Sequence, residues 1–403
     1  MRILIYGINF YPELTGIGKY TAEFASFLVS QGVEVRVITA PPYYPEWRVH
    51  AGYSSWCYQK QNWKGIQVIR CPLWVPIKRG GLRRILHLLS FAISSFPAAL
   101  SQLFWKPNLV FAVAPALTSA PFAWLLGRLV GARTWLHLQD LEVDAALGLG
   151  IVKKGLLARL IFALERWILQ RFDHISTISN AMAQRVQAKD IPPDKISLFP
   201  NWVDCDQIYP LPSSHIRKEL GISEQACVVL YAGNMGEKQG LEVLLQAAYH
   251  LAEHAEIQFV FCGDGAQREV LQAQAQAQAV SNVKFLPLQP LEQLNELLNL
   301  ADIHVLPQRK GAAGVVMPSK LGGMLASGKA VIVTAEEDTE LGALVKQVGV
   351  LVPPEDPHAL AEAIGRLSND PATRELLGEK GRQFALTNLS AQYILNNVFE
   401  KML

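Results

Sequence analysis

The sequence predicts an α/β protein built from two doubly wound parallel-sheet domains, and three observations predict it. With 403 residues, half of them hydrophobic, the chain is long for one compact core and has apolar material for two. Short β-rich runs alternate with helix-length amphipathic stretches, the rhythm of a parallel sheet with crossover helices. That rhythm stops once, at the proline-bearing "FPNWVDCDQIYPLP", and then restarts.

In the front half the strands are "RILIYGI", "EVRVITA", "NLVFAVA", "RTWLHLQ" and "HISTIS", with "YTAEFASFLVSQG" the first helix. From Ala226 onward "CVVLYAGN", "IQFVFCGDG", "VKFLPLQ", "DIHVLPQ", "KAVIVTA" and "GVLVPP" supply a second sheet. The run "LQAQAQAQA" reads as an exposed helix, because Ala and Gln are good helix formers. The expected domains are 1–203 and 204–385. A final helix is expected from about Asn369 to Leu403, with 386–403 crossing back to the first domain. Two such sheets facing across a cleft would turn the carboxyl ends of their strands, where open α/β sheets bind ligands, towards each other.

The net charge of +2 conceals an asymmetry: residues 1–200 hold 22 Lys/Arg against 11 Asp/Glu, and residues 201–403 hold 15 against 24. No acid lies between Glu46 and Asp140, which favours an anionic partner. Without a zinc-finger, basic-zipper or RNA-binding aromatic motif, nucleic acid gives way to a membrane surface or a phosphorylated acceptor. The segment Ile85–Trp105 is free of Asp, Glu, Lys and Arg over roughly the length that spans a bilayer. Its serines, His87, Gln102 and Pro97, and its place among strands, instead make it a buried or membrane-touching helix, and "KRGGLRR" before it favours interfacial docking. Five scattered cysteines with no C-x-x-C argue against a disulfide framework or a zinc site and fit a cytoplasmic location. The N-terminal apolar run ends at strand length with no small-residue cleavage site, so no signal peptide is expected.

Chemistry is expected in loops that follow strands. "YAGNMGEKQG" joins a strand to a helix; Gly233 and Gly236 permit close backbone approach around Asn234, and Lys238 can reach a phosphate. "VVMPSKLGGMLASGKAVIV" starts another helix at the top of the same sheet. Pro318 suits a first helical turn, Ser319 adds a hydroxyl near its free amides, Lys320 adds charge, and Gly322 and Gly323 allow close packing or close ligand approach. Two lysine-bearing loops in one domain point to a diphosphate. "INFYPELTGIGKYTAEFA" carries Gly16 and Gly18, lacks the third glycine and the ribose acid of a dinucleotide fingerprint, and can cover a phosphate, with Glu13 and Lys19 as polar contacts. "LHLQDLEVDAAL" brings up His137 and Asp140, the former for a sugar hydrogen bond or proton traffic and the latter to orient it or an acceptor hydroxyl. Glu142 and Asp144 read as dipole-complementing acids at a helix start. No H-E-x-x-H or G-x-S-x-G occurs, and no metal is expected.

These segments, with "ITAPPYYPEW" and "QRKGAAG", together resemble glycosyltransferase family 4, in its group of colanic acid biosynthesis enzymes of the WcaI type, nearly end to end. The resemblance implies a GT-B fold and a nucleotide-sugar donor on the second domain. It also implies an acceptor on the first domain and metal-independent transfer with retention. By the same resemblance Lys238 is the diphosphate lysine, Gly16 and Gly18 lie beside the donor phosphates, and His137 lies near the donor sugar. Two departures stand out: the family's E-x(7)-E pair falls on Val315 and Gly323, and Asn234 stands where many members carry arginine.

The expected protein is a glycosyltransferase, peripheral at the inner face of the cell membrane. It needs no cofactor and moves a sugar, with fucose in first place, from a nucleoside diphosphate to a lipid-linked saccharide. A GDP-sugar is placed slightly ahead of a UDP-sugar. An epimerase of the same fold and a non-catalytic nucleotide-sugar-binding subunit remain as alternatives.

Overall fold

Strands apolar on both faces can be satisfied only inside a sheet covered on both sides, and β5 (Leu109–Ala114), buried at every position, is of this kind. The computed structural model describes the chain except residues 14–15, 78–79, 116, 142, 144–154 and 311–316, and gives backbone but no side chain for Leu156, Leu157 and Lys238. It divides into two compact units, Met1–Pro200 with Val398–Leu403, and Asn201–Asn397.

The first unit is an eight-stranded sheet ordered β3-β4-β2-β1-β5-β6-β7-β8. Its further strands are β1 (Arg2–Gly7), β2 (Glu34–Thr39), β3 (Gln59–Trp63), β4 (Ile66–Arg70), β6 (Arg133–Leu138), β7 (His174–Thr177) and β8 (Ile196–Leu198). Because β1 pairs with both β2 and β5, the winding reverses between β1 and β5. The sheet is not wholly parallel, as the sequence reading had it: β3 runs antiparallel to β4. Lys64 and Gly65, both at positive φ (50° and 80°), make the two-residue turn whose twist matches a hairpin. β3 is polar and half exposed, so its hydrophobic pattern was too weak to announce it.

The second unit is a six-stranded parallel sheet ordered β11-β10-β9-β12-β13-β14. Here β9 (Cys227–Ala232), β10 (Ile257–Cys262), β11 (Val283–Leu286), β12 (Ile303–Leu306), β13 (Ala330–Thr334) and β14 (Val350–Val352) coincide with the six runs read from sequence. The reversal lies between β9 and β12. The glutamine-alanine run forms the helix Arg268–Ala277. The single terminal helix expected from Asn369 is instead two, Pro371–Phe384 and Ala391–Met402, with a π-type turn at Ala385–Leu389 between them. The last helix enters the first unit, where Phe399 meets Phe27 edge-on at 6.0 Å and Arg133 donates to the Met402 carbonyl at 3.2 Å.

Loops at the top of the first sheet are held by a buried carboxylate. Glu13 Oε1 accepts from the amides of Tyr43 and Tyr44 at 2.9 and 3.0 Å, and Oε2 from Asn9 Nδ2 at 2.8 Å. Burial raises its pKa against these lowering bonds. Arg70, almost fully buried, donates to the carbonyls of Ala40 and Tyr11 and closes the same corner. Glu13→Ala strands three donors and should cost about 2 to 4 kcal/mol. Because eight of the nine tryptophans precede residue 200, tryptophan fluorescence during urea unfolding reads this loss in the first unit, and an unchanged midpoint contradicts it.

Candidate functional site

In a doubly wound sheet the loops on either side of the winding reversal diverge and leave a crevice at the carboxyl ends of the strands. In the second unit those are the loops after β9 and β12, the two singled out for their lysines. The structure brings them into contact. Lys320 Nζ donates to Tyr231 Oη at 2.6 Å, and Tyr231 Oη donates in turn to the Asn234 carbonyl at 2.5 Å. The ammonium also sits 4.5 Å from the Tyr231 ring centroid, a cation–π contact.

Glycine is required for this approach. Gly233 has φ +139°, and a Cβ there would lie 2.3 Å from Lys320 Cε. Behind it Gly263, φ +145°, would place a Cβ 1.9 Å from the Gly233 carbonyl oxygen. The loops after β9 and β10 are then zipped by Gly233 N to Cys262 O at 2.8 Å and Met235 N to Asp264 O at 2.7 Å. Arg309, after β12, donates from Nε to the Glu237 carbonyl at 2.8 Å and pairs with Glu242 at 2.6 Å, fixing the 3₁₀ turn Glu237–Gln239. Within that turn Gln239 Oε1 is buried without a partner, and Lys238 has its side chain outside the described atoms.

Lys320 is therefore a mostly buried cation, engaged through one of its three N–H groups and paired with no carboxylate among the described residues. Desolvation pushes its pKa down to about 8. An anion entering the crevice would supply the missing countercharge.

Other readings of this loop need correction. The helix is Lys320–Ala326, seven residues long. Pro318 precedes it instead of occupying its first turn, and the hydroxyl of Ser319 caps nothing. The ammonium, not the helix end, is thus the positive charge that this loop presents to the crevice. A Cβ at Gly322 would lie 3.4 Å from Val203 and one at Gly323 3.4 Å from Leu298, so both glycines face packed side chains. Asn234 and Gly236 lie in the loop as expected, Asn234 exposed and Gly236 closed over Gln239. Val315 lies outside the described residues.

In the first unit, Gly16 opens the helix Gly16–Ser30 at φ +60°, exposed. Gly18 is buried, and its missing Cβ makes room for Glu13, which would be 2.7 Å away; packing, not a phosphate, explains this glycine. Glu13 itself is spent on loop amides, as above. His137 on β6 is 4% exposed, between Phe111 and Phe199. Its Nε2 is 3.0 Å from the donor Nε2 of Gln139, so it accepts there and donates from Nδ1 to Ser176 Oγ at 2.9 Å. Burial lowers its pKa to about 3. Burial keeps the ring neutral, and both ring nitrogens are engaged by Ser176 and Gln139, so proton traffic would first have to break one of these bonds. Asp140 follows β6 without bonding His137, and Glu142 and Asp144 lie outside the described residues. Tyr231 and Arg309 were missed in the sequence: a tyrosine inside a β-run reads as core, and the glycine-flanked "QRKG" was the only signal for the arginine.

Comparison with known proteins gives this chain a class. HepE of Anabaena, solved with UDP and glucose, shares the fold at TM-score 0.69 and 15% identity over 100% of this chain and 99% of its own. Sucrose-phosphate synthase of Thermosynechococcus elongatus does so at 0.77 and 18%, over 100% and 98%. The two units thus share the GT-B fold. A "Glycosyl transferase 4-like domain" matches residues 15–202 and "Glycosyl transferases group 1" matches 213–384. The chain is 44% identical over 373 residues to "Putative colanic acid biosynthesis glycosyl transferase WcaI" of Escherichia coli (strain K12), covering 90% of this chain and 91% of that protein. It is also 26% identical to "Probable glycosyltransferase WbjE" of Pseudomonas aeruginosa, over 63% and 64%. The chain belongs to glycosyltransferase family 4.

For a nucleoside diphosphate, Lys320→Met should weaken binding about 10- to 100-fold, the worth of one charge-assisted contact. The free-state pKa of about 8 sets the pH sign: above it the bound complex must take up a proton, so wild-type affinity should fall as pH rises through 8. Calorimetric titration across that range checks both, and a pH-independent wild type would remove Lys320 from the site.

Proposed function

We propose that this protein transfers a sugar from a nucleoside diphosphate sugar to a lipid-linked saccharide during exopolysaccharide assembly at the inner face of the cell membrane. Fucose from a GDP-sugar is the first donor to test, with retention of configuration. The observation that carries this reading is the Lys320 ammonium, paired with no carboxylate among the described residues and held against Tyr231 at the reversal of the second sheet. The name of the Escherichia coli relative supports the pathway, and the UDP and UDP-glucose complexes of HepE support the donor class.

Negative charge accumulates on the diphosphate as its bond to the sugar breaks. Lys320, held in place before reaction and partly out of water, stabilises it together with the backbone amides of the Gly233–Gly236 loop and the charge of Lys238. Arg309 acts on that charge only by fixing the turn that bears Lys238. Asp140 orients the acceptor hydroxyl, and neutral His137 holds the Gln139 amide beside it.

A panel of GDP- and UDP-sugars incubated with native lipid-linked acceptors, read by mass and anomeric configuration, tests the reading. A glycosylated lipid product is expected. An altered free sugar nucleotide with no lipid product would favour the epimerase, and donor binding without turnover would favour a non-catalytic subunit. Lys238→Ala should lower turnover about 10²- to 10³-fold at an unchanged melting temperature. Equal turnover removes Lys238 from the chemistry.

A further inference from the structure

The first unit exposes more apolar side chain than its own folding explains. Its helix Gly81–Ser101 buries His87, Phe91, Ala92, Ser95, Ala98 and Ala99. On the opposite side Leu82, Ile85, Leu86, Leu89, Ile93 and Leu100 face solvent, Leu82 and Ile93 each 71% exposed. They recur at three, four or seven residues, one or two helical turns, which makes one stripe along the helix. Apolar residues on both faces are why this helix is long and apolar enough to cross a membrane by composition. Its inner face belongs to the core of the unit, so it does not span.

The stripe continues onto two more helices. Phe96 meets Phe122 of the helix Ala120–Val130 at 4.7 Å, and Trp124 of that helix meets Trp167 of the helix Leu156–Arg171 at 6.0 Å. Leu129, Leu160, Leu164 and Trp167 extend the exposed apolar row. Trp167 also borders a hollow of about 760 Å³ lined by Phe162, Arg166, Arg185 and Lys189.

Charge decides the occupant. Arg84, Arg128, Arg159 and Arg171 are exposed on these helices, and no acid occurs between Glu46 and Asp140. Glu165, on the third helix, is buried against Lys189 at 2.7 Å. A second copy of this face would oppose arginine to arginine, whereas anionic headgroups complement it.

We propose that these three helices form a docking face that lays the first unit on an anionic phospholipid bilayer, with the apolar row in the acyl boundary and the arginines at phosphate depth. This deepens the lipid-linked acceptor reading by naming the surface that meets the membrane, but its test does not depend on sugar transfer. The full chain is floated with phosphatidylglycerol-containing vesicles and with phosphatidylcholine vesicles at low and high salt. Wild type should float with the former and lose binding in salt. Leu89→Asp with Ile93→Asp should reduce flotation at least about tenfold, and so should Leu129→Asp with Leu164→Asp, with a cooperative urea-unfolding transition in tryptophan fluorescence, which reads the first unit, as the folding control. Arg84→Glu with Arg128→Glu should abolish the preference for phosphatidylglycerol. Wild type left unbound, or apolar variants floating as well as wild type, overturns the proposal. So does a wild-type dimer in sedimentation velocity that these variants merely dissociate. Sugar transfer without flotation sinks this inference alone, and flotation without transfer sinks the proposed function alone.

Discussion

The lysine ammonium lodged against Tyr231 is the contact on which the shape and charge of the second unit's crevice depend. Lys320 reaches it from the loop after β12, across the point where the sheet reverses, and Tyr231 is the penultimate residue of β9. Neither chain segment could approach so closely with an ordinary backbone between them. Gly233 leaves out the Cβ that would overlap Lys320, and Gly263 leaves out the one that would overlap the Gly233 carbonyl. The sheet sets the crevice, the glycines let the loops close on it, and the lysine has no carboxylate partner among the described residues.

A different economy operates at the top of the first sheet. Its buried polar groups, Glu13, Arg70 and His137, are consumed by the protein itself. Glu13 holds two loops by their amides, Arg70 holds the carbonyls beneath them, and His137 joins Ser176 to Gln139 inside an aromatic setting. Low-dielectric surroundings explain both outcomes: a carboxylate survives there only when amides surround it, and an imidazole survives only when neutral. What this unit presents outward is instead arginine and leucine on three helices.

Much of this was legible in the amino-acid order. The central strands of the second sheet follow the apolar pattern because parallel strands covered on both faces are near-continuous hydrophobic runs, and its half-buried edge strands β11 and β14 stay apolar enough to be read with them. The loops with Gly233 and Lys320 could be marked because glycine after such a strand, followed by lysine, is a local signal. The β3–β4 hairpin was illegible because its edge strand is polar and half exposed, and the turn Lys64–Gly65 lacks the usual Asn-Gly or Asp-Gly signature. The terminal helix was misread as continuous, since "ALTNLS" contains neither Gly nor Pro to break it.

Sequence alone determined that there are two sheets, which loops follow which strands, and that the front half is basic, because each of these is a property of neighbouring residues. Only tertiary structure decided that Lys320 meets Tyr231 across 89 positions, that Gly18 accommodates Glu13, and that His137 is sealed and neutral. Those outcomes turn on distance and dielectric between residues far apart in the chain, and periodicity carries no record of either.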